Sequence, residues 1–594
     1  MALFTPSASP AVTVKEIDLT GVVPNVQTST GAFVGNFGWG PVGVATLVSD
    51  ESGLVSTFSA PTDNNTVDFH SAAYFLRYSN TLFVVREQDS DGKNAVANNT
   101  NLGTLSAQAI NNLDAFEGLS VDSSDGAFIA KYPGELGNSL QISIVGSDSD
   151  NGGATNFAAW SYKDNFDAAP GTSSYVSALG GKNDEIHVAV VDQDGEITGT
   201  AGTVLETFPF LSVAKNAKAS DGTSNYFKDV LKLRSQWVYA GVGHTGDSAS
   251  VSDFIGSNWG LNATNGAQDF KSDFKYSSSQ STFSFLSGVT SSSLGTDDVL
   301  RGFDKFEDKD NIEVDFLIAP ESLTDGTATT IVNDLVSTAA STRKDCVAVV
   351  SPSRAAVVTS GTNTAILACN NTYTKSSYLV QDNNYLKVFD KYNDKYIKIP
   401  AASSTAGLMA ATDLVAAPWF SPAGSRRGRY LGITDIIVSP TKAERDQLYK
   451  AGINPIANIP GEGIMLFGDK TNESRPSAFD RINVRRLFLA IERAIAIAGR
   501  GVMFEFNDEF TRAEFVNIVE PFLREIQGRR GITDFRVQCD ETNNTPAVVD
   551  RNEFIASIFI KPARSINFVT LNFVATKTGV TFDEAVALHR RNSF

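Results

Sequence analysis

Residues 33–48 read FVGNFGWGPVGVATLV, and Gly38, Gly40 and Gly43 within them spell G-x-G-x-x-G. In a dinucleotide-binding protein these glycines follow a strand, open a helix and precede an acidic residue about 20 positions later. Here Pro41 removes a backbone N–H from the cradle, and the β-branched residues that follow favour a strand over a helix. The motif therefore gives little support to a nucleotide site.

The residues around the motif predict a simpler structure. Residues 31–37 alternate small and apolar side chains, residues 42–48 are rich in valine, and Asp63 lies in the turn-like PTDNNT rather than at a strand end. Two strands joined by glycines are typical of a hairpin. We therefore predict a tight hairpin with Trp39 as its apolar anchor.

Composition describes a globular protein of several domains. The chain has 594 residues, of which 42% are hydrophobic and 20% charged, which is ordinary for soluble domains. No apolar run approaches the roughly 18 residues of a membrane span, and the opening MALFTPSASP lacks the basic region of a secretory signal. Cys346, Cys369 and Cys539 are far apart, which argues against a disulfide scaffold or a zinc site and favours synthesis in a reducing cytoplasm.

Charge is distributed unevenly. The net charge of −18 disfavours nucleic acid or an anionic membrane as a partner. Residues 475–594 hold 17 Lys and Arg against 15 Asp and Glu, whereas the rest of the chain holds 32 against 52. Nearly all of those 17 cations are arginine, which suggests fixed-geometry ion pairs with a partner protein, although pairing within the domain is an equal alternative.

Pattern and composition divide the chain into five segments. These are an extended arm (1–20), a discontinuous α/β core (21–92 and 301–460), a Ser/Gly/Asn-rich β-rich insertion of one or two modules (93–300), a C-terminal α+β domain (461–582) and a tail (583–594). The predicted fold class is thus multidomain α+β.

The C-terminal domain has the clearest helical periodicity. Residues 479–498 carry Val484, Phe488, Ile491 and Ile495 on one predicted face. A second helix is predicted to begin with a capping box at Thr511-x-x-Glu514, to bury Phe515, Ile518, Phe522 and Ile526, and to end at Gly528. Strands are predicted over 535–539, 554–561 and 566–576.

No catalytic motif stands out. The best candidate is Cys539, beside Asp540 and Glu541, but a nucleophilic thiol needs a base or cation and no histidine lies within 45 residues. His70 sits in a predicted helix and is expected to pack. The sequence therefore predicts neither an enzyme nor a cofactor.

Several blocks in order along the chain resemble the contractile tail sheath proteins of T-even-like myoviruses. They are TGAFVGNFGWGP (30–41), LVSTFSAPT (54–62), AAYFLRY (72–78), LFVVRE (82–87), AKYPGELGNSLQISI (130–144), APWFSPAGSRRGRYLGITDIIVSPTKAERDQLYKAGINPI (417–456), GIMLFGDKT (463–471), INVRRLFLAIERAI (482–495), VQCDETNNT (537–545) and IKPARSINFVTLNFVATKTGV (560–580). Ser59 stands where such proteins usually have glycine. Most of 145–290 has no matching block.

The resemblance implies a mechanical role. Sheath subunits of this kind stack as six-subunit rings around a rigid tail tube in an extended, high-energy state, and contract on a signal from the baseplate to drive the tube through the bacterial envelope. It implies as partners other copies of this chain, the tail tube protein, and baseplate and tail terminator proteins. It also implies a location in the virion tail, assembly in the host cytoplasm, a solvent-facing insertion and a tube-facing C-terminal domain.

Two sets of site residues follow as expectations. For strand exchange between subunits they are Val12, Thr13, Val14, Lys15, Glu16 and Ile17. For contact with the tube they are Arg485, Arg486, Arg493, Arg524, Arg529 and Arg530. Arg486 and Arg493 are seven apart, hence on one helical face, predicted to point away from Phe488. For all six arginines the alternative is internal pairing with Glu492 or Glu525.

Other functions stay open on the sequence alone. An enzyme would need a pocket with converging polar groups, and a glycan-binding adhesin built on 93–300 would need secretion. The sheath of a phage-derived injection device is a closer alternative, although such sheaths are often shorter and lack large insertions.

Overall fold

A computed structural model of the chain describes residues 28–97, 107–119, 126–147, 154–241, 259–263, 270–271, 273–274 and 281–566. The chain divides into two compact units. Of the described residues, unit 1 comprises Trp419–Ser421 and 497–566, and unit 2 comprises those in 28–418 and 422–496. The predicted strand-exchange residues, the tail 583–594 and nearly all of the predicted strand 566–576 lie outside the described residues.

The described strands, in chain order, are β1 Gly31–Gly35, β2 Thr46–Val48, β3 Leu82–Arg86, β4 Asn94–Ala97, β5 Phe128–Pro133, β6 Leu140–Gly146, β7 Glu185–Asp192, β8 Thr203–Ser212, β9 Val238–Ala240, β10 Asn262–Ala263, β11 Phe270–Lys271, β12 Ser281–Leu286, β13 Phe316–Ile318, β14 Val347–Val350, β15 Leu379–Asp382, β16 Tyr385–Asp390, β17 Lys395–Pro400, β18 Asp435–Ile436, β19 Ile453–Asn454, β20 Ile456–Ile459, β21 Gly463–Leu466, β22 Ile532–Gln538 and β23 Ser557–Pro562.

The described α-helices are α1 Glu51–Phe58, α2 Thr66–Leu76, α3 Leu113–Gly118, α4 Ala154–Ala159, α5 Ser174–Ala178, α6 Phe227–Arg234, α7 Thr296–Asp304, α8 Asp325–Ser337, α9 Asn363–Asn371, α10 Ala402–Val415, α11 Lys442–Lys450, α12 Ile482–Arg500, α13 Glu509–Gly528 and α14 Pro546–Val549. Helices and sheets are mixed throughout, as expected for an α+β chain.

One sheet of unit 2 has the order β19-β15-β14-β13-β1-β3-β2, parallel except for β2. Its strands alternate between two cores, as the two-residue period of a strand requires. Leu317, for example, packs towards α7 and α8, whereas Phe316 and Ile318 pack towards α2 and α10. Helices therefore cover both faces, the arrangement that buried parallel strands need.

A second, small sheet covers the far side of α2 and α10. It has the order β17-β16-β18, and its inner side chains share a core with Tyr74 and Tyr78 of the α2 region and Leu408 of α10. The helices approach closely at Gly407, where an added Cβ would come within 2.4 Å of the Tyr78 ring. Unit 2 thus has four successive layers here: α7 and α8, the parallel sheet, α2 and α10, and the small sheet.

The opening glycines do not form the predicted hairpin. β3 lies between β1 and β2, parallel to the first and antiparallel to the second, so the loop 36–45 crosses over instead of turning back. Gly40 has φ +99° and Gly43 φ +70°, conformations that glycine adopts without strain. Trp39 is buried, as expected for an apolar anchor, but not in a core of the parallel sheet. It packs in a separate core, where its ring stacks on Trp237 at a ring-centroid distance of 5.3 Å.

That other core belongs to a second seven-stranded sheet of unit 2, order β8-β7-β6-β12-β4-β5-β9, antiparallel throughout. Arg86, at the end of β3, is fully buried and donates hydrogen bonds to the backbone oxygens of Gly40 (2.7 Å) and Pro133 (2.6 Å). Burial lowers the pKa of Arg86 to about 9. The arginine ties the parallel sheet, the crossing loop and the antiparallel sheet together.

Unit 1 contains α13 packed on the antiparallel pair β22–β23. The helix begins earlier than predicted, because Asp508, not Thr511, is the N-cap and accepts a hydrogen bond from the Thr511 backbone N–H at 2.8 Å. The helix ends at Gly528 as predicted. Phe515 and Ile526 are buried, but Val519 and Leu523 take the places expected for Ile518 and Phe522, which are half-buried.

The compact C-terminal unit starts at Ile497 rather than at the predicted residue 461. The reason lies in α12, since most of this helix packs in unit 2 through Ile482, Leu487, Leu489 and neighbouring side chains. No helix among the described residues is long and apolar enough to cross a bilayer.

Candidate functional site

Arg486 of α12, one of the residues predicted to face the tube, is buried and forms an ion pair within the subunit. Its guanidinium donates to both carboxylate oxygens of Asp413, at 2.7 and 2.5 Å, and to the backbone oxygens of Met409 and Thr28. Thr28 also donates its hydroxyl to Asp413 at 2.6 Å. Burial raises the pKa of Asp413, and the guanidinium opposes that rise. Such a bidentate, fully bonded pair is the form in which buried charges are tolerated.

Arg493 forms a second buried pair two turns later. It donates to Asp315 at 2.6 Å and to the backbone oxygens of Val314 and Asp345. Burial raises the pKa of Asp315 to about 6, against the lowering effect of Arg493. Arg486, Arg493 and Asp315 line one small cavity of unit 2 together with Thr28.

Arg485 is buried as well, but among aromatic rings. Its guanidinium carbon lies 4.2 Å from the Tyr378 ring centroid and 4.0 Å from that of Phe479, and it donates to the Ser377 hydroxyl at 2.5 Å. These are cation–π geometries. Burial lowers the pKa of Arg485.

Arg485, Arg486 and Arg493 were predicted to face the tube, but in this structure each guanidinium forms hydrogen bonds inside the subunit. The face of α12 that carries Arg486 and Arg493 is the buried one, and Phe488 is half-buried. Internal pairing was the alternative: Glu492 acts electrostatically on Arg485 and Glu525 pairs with Arg529, but the carboxylates that bond Arg493 and Arg486 are distant in the sequence. They are Asp315 and Asp413, which lie 178 and 73 residues away, so no local signal could identify them.

The three arginines at the end of α13 behave differently. Arg524, Arg529 and Arg530 are all exposed. Arg524 lies 3.5 Å from Glu520, and Arg529 lies 3.5 Å from Glu525, both four residues earlier on the helix. Such exposed pairs are weak and exchange readily with other partners.

The local structure holds this arginine cluster in place. The Arg529 guanidinium carbon lies 5.0 Å from the Trp419 ring, and the indole N–H donates to the Arg529 backbone oxygen at 3.1 Å. Arg530 has φ +68°, which ends the helix and lets the Gly531 N–H reach the Ile526 oxygen at 2.9 Å. The cluster is thus presented by a defined turn.

An exposed apolar turn in unit 1 was missed by the sequence reasoning. Phe504 is 100% exposed, and Phe506 and Phe510 are 82% and 74% exposed. Asn507 fixes the turn by donating to the Asn544 side chain and the Glu553 backbone oxygen. The available signal was the stretch MFEFNDEF, in which three phenylalanines follow a helix end without helical periodicity.

The described residues assemble no catalytic centre. Burial raises the pKa of the Cys539 thiol, the opposite of what a nucleophile needs. His70 is buried with Asp390 at 3.1 Å, and burial lowers the pKa of this imidazole. Among the described residues, no group of three or more His, Cys, Asp and Glu side chains could hold a metal ion.

Comparison with known proteins gives one consistent result. Residues 293–472 match the phage tail sheath protein central domain, and residues 474–576 match the phage tail sheath C-terminal domain. The tail sheath protein of Vibrio phage KVP40 is 31% identical, with 97% of this chain and 99% of that protein aligned. The tail sheath protein of Enterobacteria phage T4 is 32% identical over 98% and 99% of the two chains.

A solved structure supports the fold. The crystal structure of a sheath tail protein from Listeria innocua superposes with a TM-score of 0.53 at 13% identity, covering 91% of this chain and 93% of the other. At that identity the likeness concerns the fold alone.

Proposed function

This chain belongs to the phage tail sheath protein family, and on that premise we propose that it polymerises as stacked six-subunit rings around a tail tube and contracts to drive the tube through the bacterial envelope. The observation that carries the proposal is the match to tail sheath proteins over nearly the whole of both chains. Because 97% of this chain is aligned with a phage protein, the phage tail is favoured over an injection device with a shorter sheath. The protein is then a virion tail component.

Subunits are joined, in this proposal, by strands donated from the N-terminal arm at Val12–Ile17. β22–β23 supports the idea because it is a two-stranded sheet of the described part of unit 1, and strand edges carry backbone groups with which a further strand can pair. A third strand from a neighbour would add backbone hydrogen bonds that persist while side-chain contacts change.

The tube is contacted, in this proposal, through Arg524, Arg529 and Arg530. Their support is exposure, fixed presentation by the turn after α13, and weak internal pairing. Arginine forks suit carboxylates on a partner surface. The tail tube protein, the baseplate and the tail terminator are the further proposed partners.

Contraction needs no nucleotide hydrolysis if the extended sheath is kinetically trapped during assembly and converts to a more stable contracted state on a trigger. The subunit then acts as a structural protein and not as an enzyme. The parallel sheet covered on both faces by helices provides a rigid body for such movement.

The arm is the most direct place to test the mode of assembly. A proline at Val14 removes one ladder donor from the donated strand and should abolish sedimentable tubes. Ser7→Pro, in the leader before the strand, is the matched control and should leave assembly unchanged. Tubes formed by Val14→Pro in normal yield would exclude strand donation by this segment.

A further inference from the structure

The outer face of the β16–β17 hairpin has an unusual composition. Lys387 pairs in register with Lys398, and Phe389 pairs with Tyr396. The alternating residues Leu386, Val388, Ile397 and Ile399 point into the core of unit 2. The other four side chains, here called the hairpin face, therefore point outward: Lys387, Phe389, Tyr396 and Lys398.

The hairpin face is organised before any partner arrives. The two aromatic rings contact each other with centroids 5.3 Å apart, and the Lys387 ammonium lies 5.0 Å from the Tyr396 ring centroid. Tyr396 is nevertheless 59% exposed and Phe389 43% exposed. Cross-strand pairing holds these side chains in place, so little conformational freedom remains to be lost on docking.

The hairpin face is also positively charged within an acidic body. Two neighbouring lysines form ion pairs: Lys391 pairs with Glu51, and Lys395 pairs with Asp63. Lys387 and Lys398 take part in none of the ion pairs found among the described residues. Asp435 of β18 lies in register beside Lys387 at one edge, so two lysines face one carboxylate.

A complementary surface lies at the end of α7. Residues 304–313 hold five carboxylates against two lysines, and Asp304 and Glu307 are exposed. Asp334 of α8 lies close to them, since burial and the charges of Asp304 and Glu307 raise its pKa. In this acidic surface (Asp304, Glu307 and Asp334) the negative charges lie close together and repel one another. A positively charged partner would reduce that repulsion.

The layers of unit 2 put these two surfaces on opposite sides. α7 and α8 cover one face of the parallel sheet, whereas the hairpin lies beyond the helices that cover the other face. The hairpin face cannot therefore reach the acidic surface of its own chain. Complementary patches on opposite sides of one body join copies head to tail, and such contacts produce an open polymer when they do not close.

We propose that the hairpin face docks on the acidic surface of a second copy of this chain in the assembled sheath. The aromatic pair provides the apolar centre of the contact and the lysines its charged rim, the usual arrangement of a protein interface. The proposal rests on the polymerisation proposed above and names the surfaces that carry it.

Two reciprocal charge reversals test the contact. Variant A carries Lys387→Glu and Lys398→Glu, and variant B carries Asp304→Lys and Glu307→Lys. Alone, each variant places like charges across the contact, and the yield of sedimentable polymer should fall at least about tenfold at moderate salt. Mixed in equal amounts, A and B should recover polymer, because each altered surface then meets an opposite charge on the other variant.

Lys215→Glu with Lys218→Glu is the control, since both lysines are exposed and the change in net charge equals that of variant A. Unfolding temperatures of the dispersed variants show that the fold is kept. Normal assembly of A alone overturns the contact while leaving the polymer itself established. Loss in A without recovery on mixing overturns the acidic surface as the partner. A wild-type chain that never polymerises overturns both proposals.

Discussion

Two successive helices use the same residue type in opposite ways. Arg486 and Arg493 of α12 are buried and bonded to carboxylates of the same subunit, whereas Arg524 and Arg529 of α13 are exposed and paired only four residues away. The difference shows that an excess of arginine does not by itself mark an interface. What decides is whether a distant carboxylate is brought within bonding distance by the fold.

The largest effect is expected from breaking a buried pair. Arg486→Met leaves Asp413 buried without its cation, which should cost about 3–5 kcal/mol of stability. Thermal unfolding of the dispersed subunit measures this. Replacing both partners, as Arg486→Met with Asp413→Leu, should restore much of the loss, because no buried charge then stays unpaired.

Arg524→Met is the matched control and should change stability by less than about 1 kcal/mol, as expected for an exposed pair. Equal losses for Arg486→Met and Arg524→Met would contradict the distinction between the two helices.

The exposed arginines should matter for assembly instead. Arg529→Glu with Arg530→Glu reverses the charge at the end of α13, and we expect weaker assembly on tail tubes with the fold spared. Co-sedimentation with purified tubes measures the binding. Arg475→Glu with Arg500→Glu reverses two other exposed arginines and should have little effect; unchanged binding of the first variant would refute this surface.

A buried carboxylate with neutral hydrogen-bond partners sharpens the contrast. Asp382 accepts hydrogen bonds from the neutral groups of Ser351, Asn384 and Thr405, and burial raises its pKa to about 7. Between the ordinary value of 3.8 and about 7, the folded state binds a proton that the unfolded state does not. Stability from this group therefore falls as pH rises through that window.

Asp382→Asn removes the titration, so its unfolding temperature should depend less on pH between 4 and 7 than that of the wild type. An identical pH dependence in both proteins would show that Asp382 does not titrate in this range.

The smallest effect is expected at Glu520. Glu520→Gln removes the exposed pair with Arg524 and should change stability by no more than about 0.5 kcal/mol. Tube binding should be kept or slightly strengthened, because Arg524 loses a competing carboxylate. A clear loss of tube binding would show that the pair itself positions the arginine.

Local signals predicted many elements well. The helix predicted around His70 is α2, and the strands predicted over 535–539 and 554–561 overlap β22 and β23. The end of α13 at Gly528 also followed from the sequence. In each case the deciding information lies within a few residues: a β-branched run, a helical period or a terminal glycine.

The features that could not be predicted depend on contacts between residues that are far apart in the sequence. The prediction of a hairpin at the opening glycines was wrong because β3, some 40 residues later in the chain, lies between β1 and β2. The role of Arg486 depended on Asp413, and the four-layer order of unit 2 depended on how α10 and the β16–β17 hairpin return to α2. None of these contacts leaves a periodic mark in the sequence.

The central claim is polymerisation into a sheath, and electron microscopy of the purified chain tests it most directly. We expect long hollow tubes with helical striations, formed without any nucleotide, and a matching fast-sedimenting species. A stable monodisperse monomer under conditions that favour assembly would contradict the account.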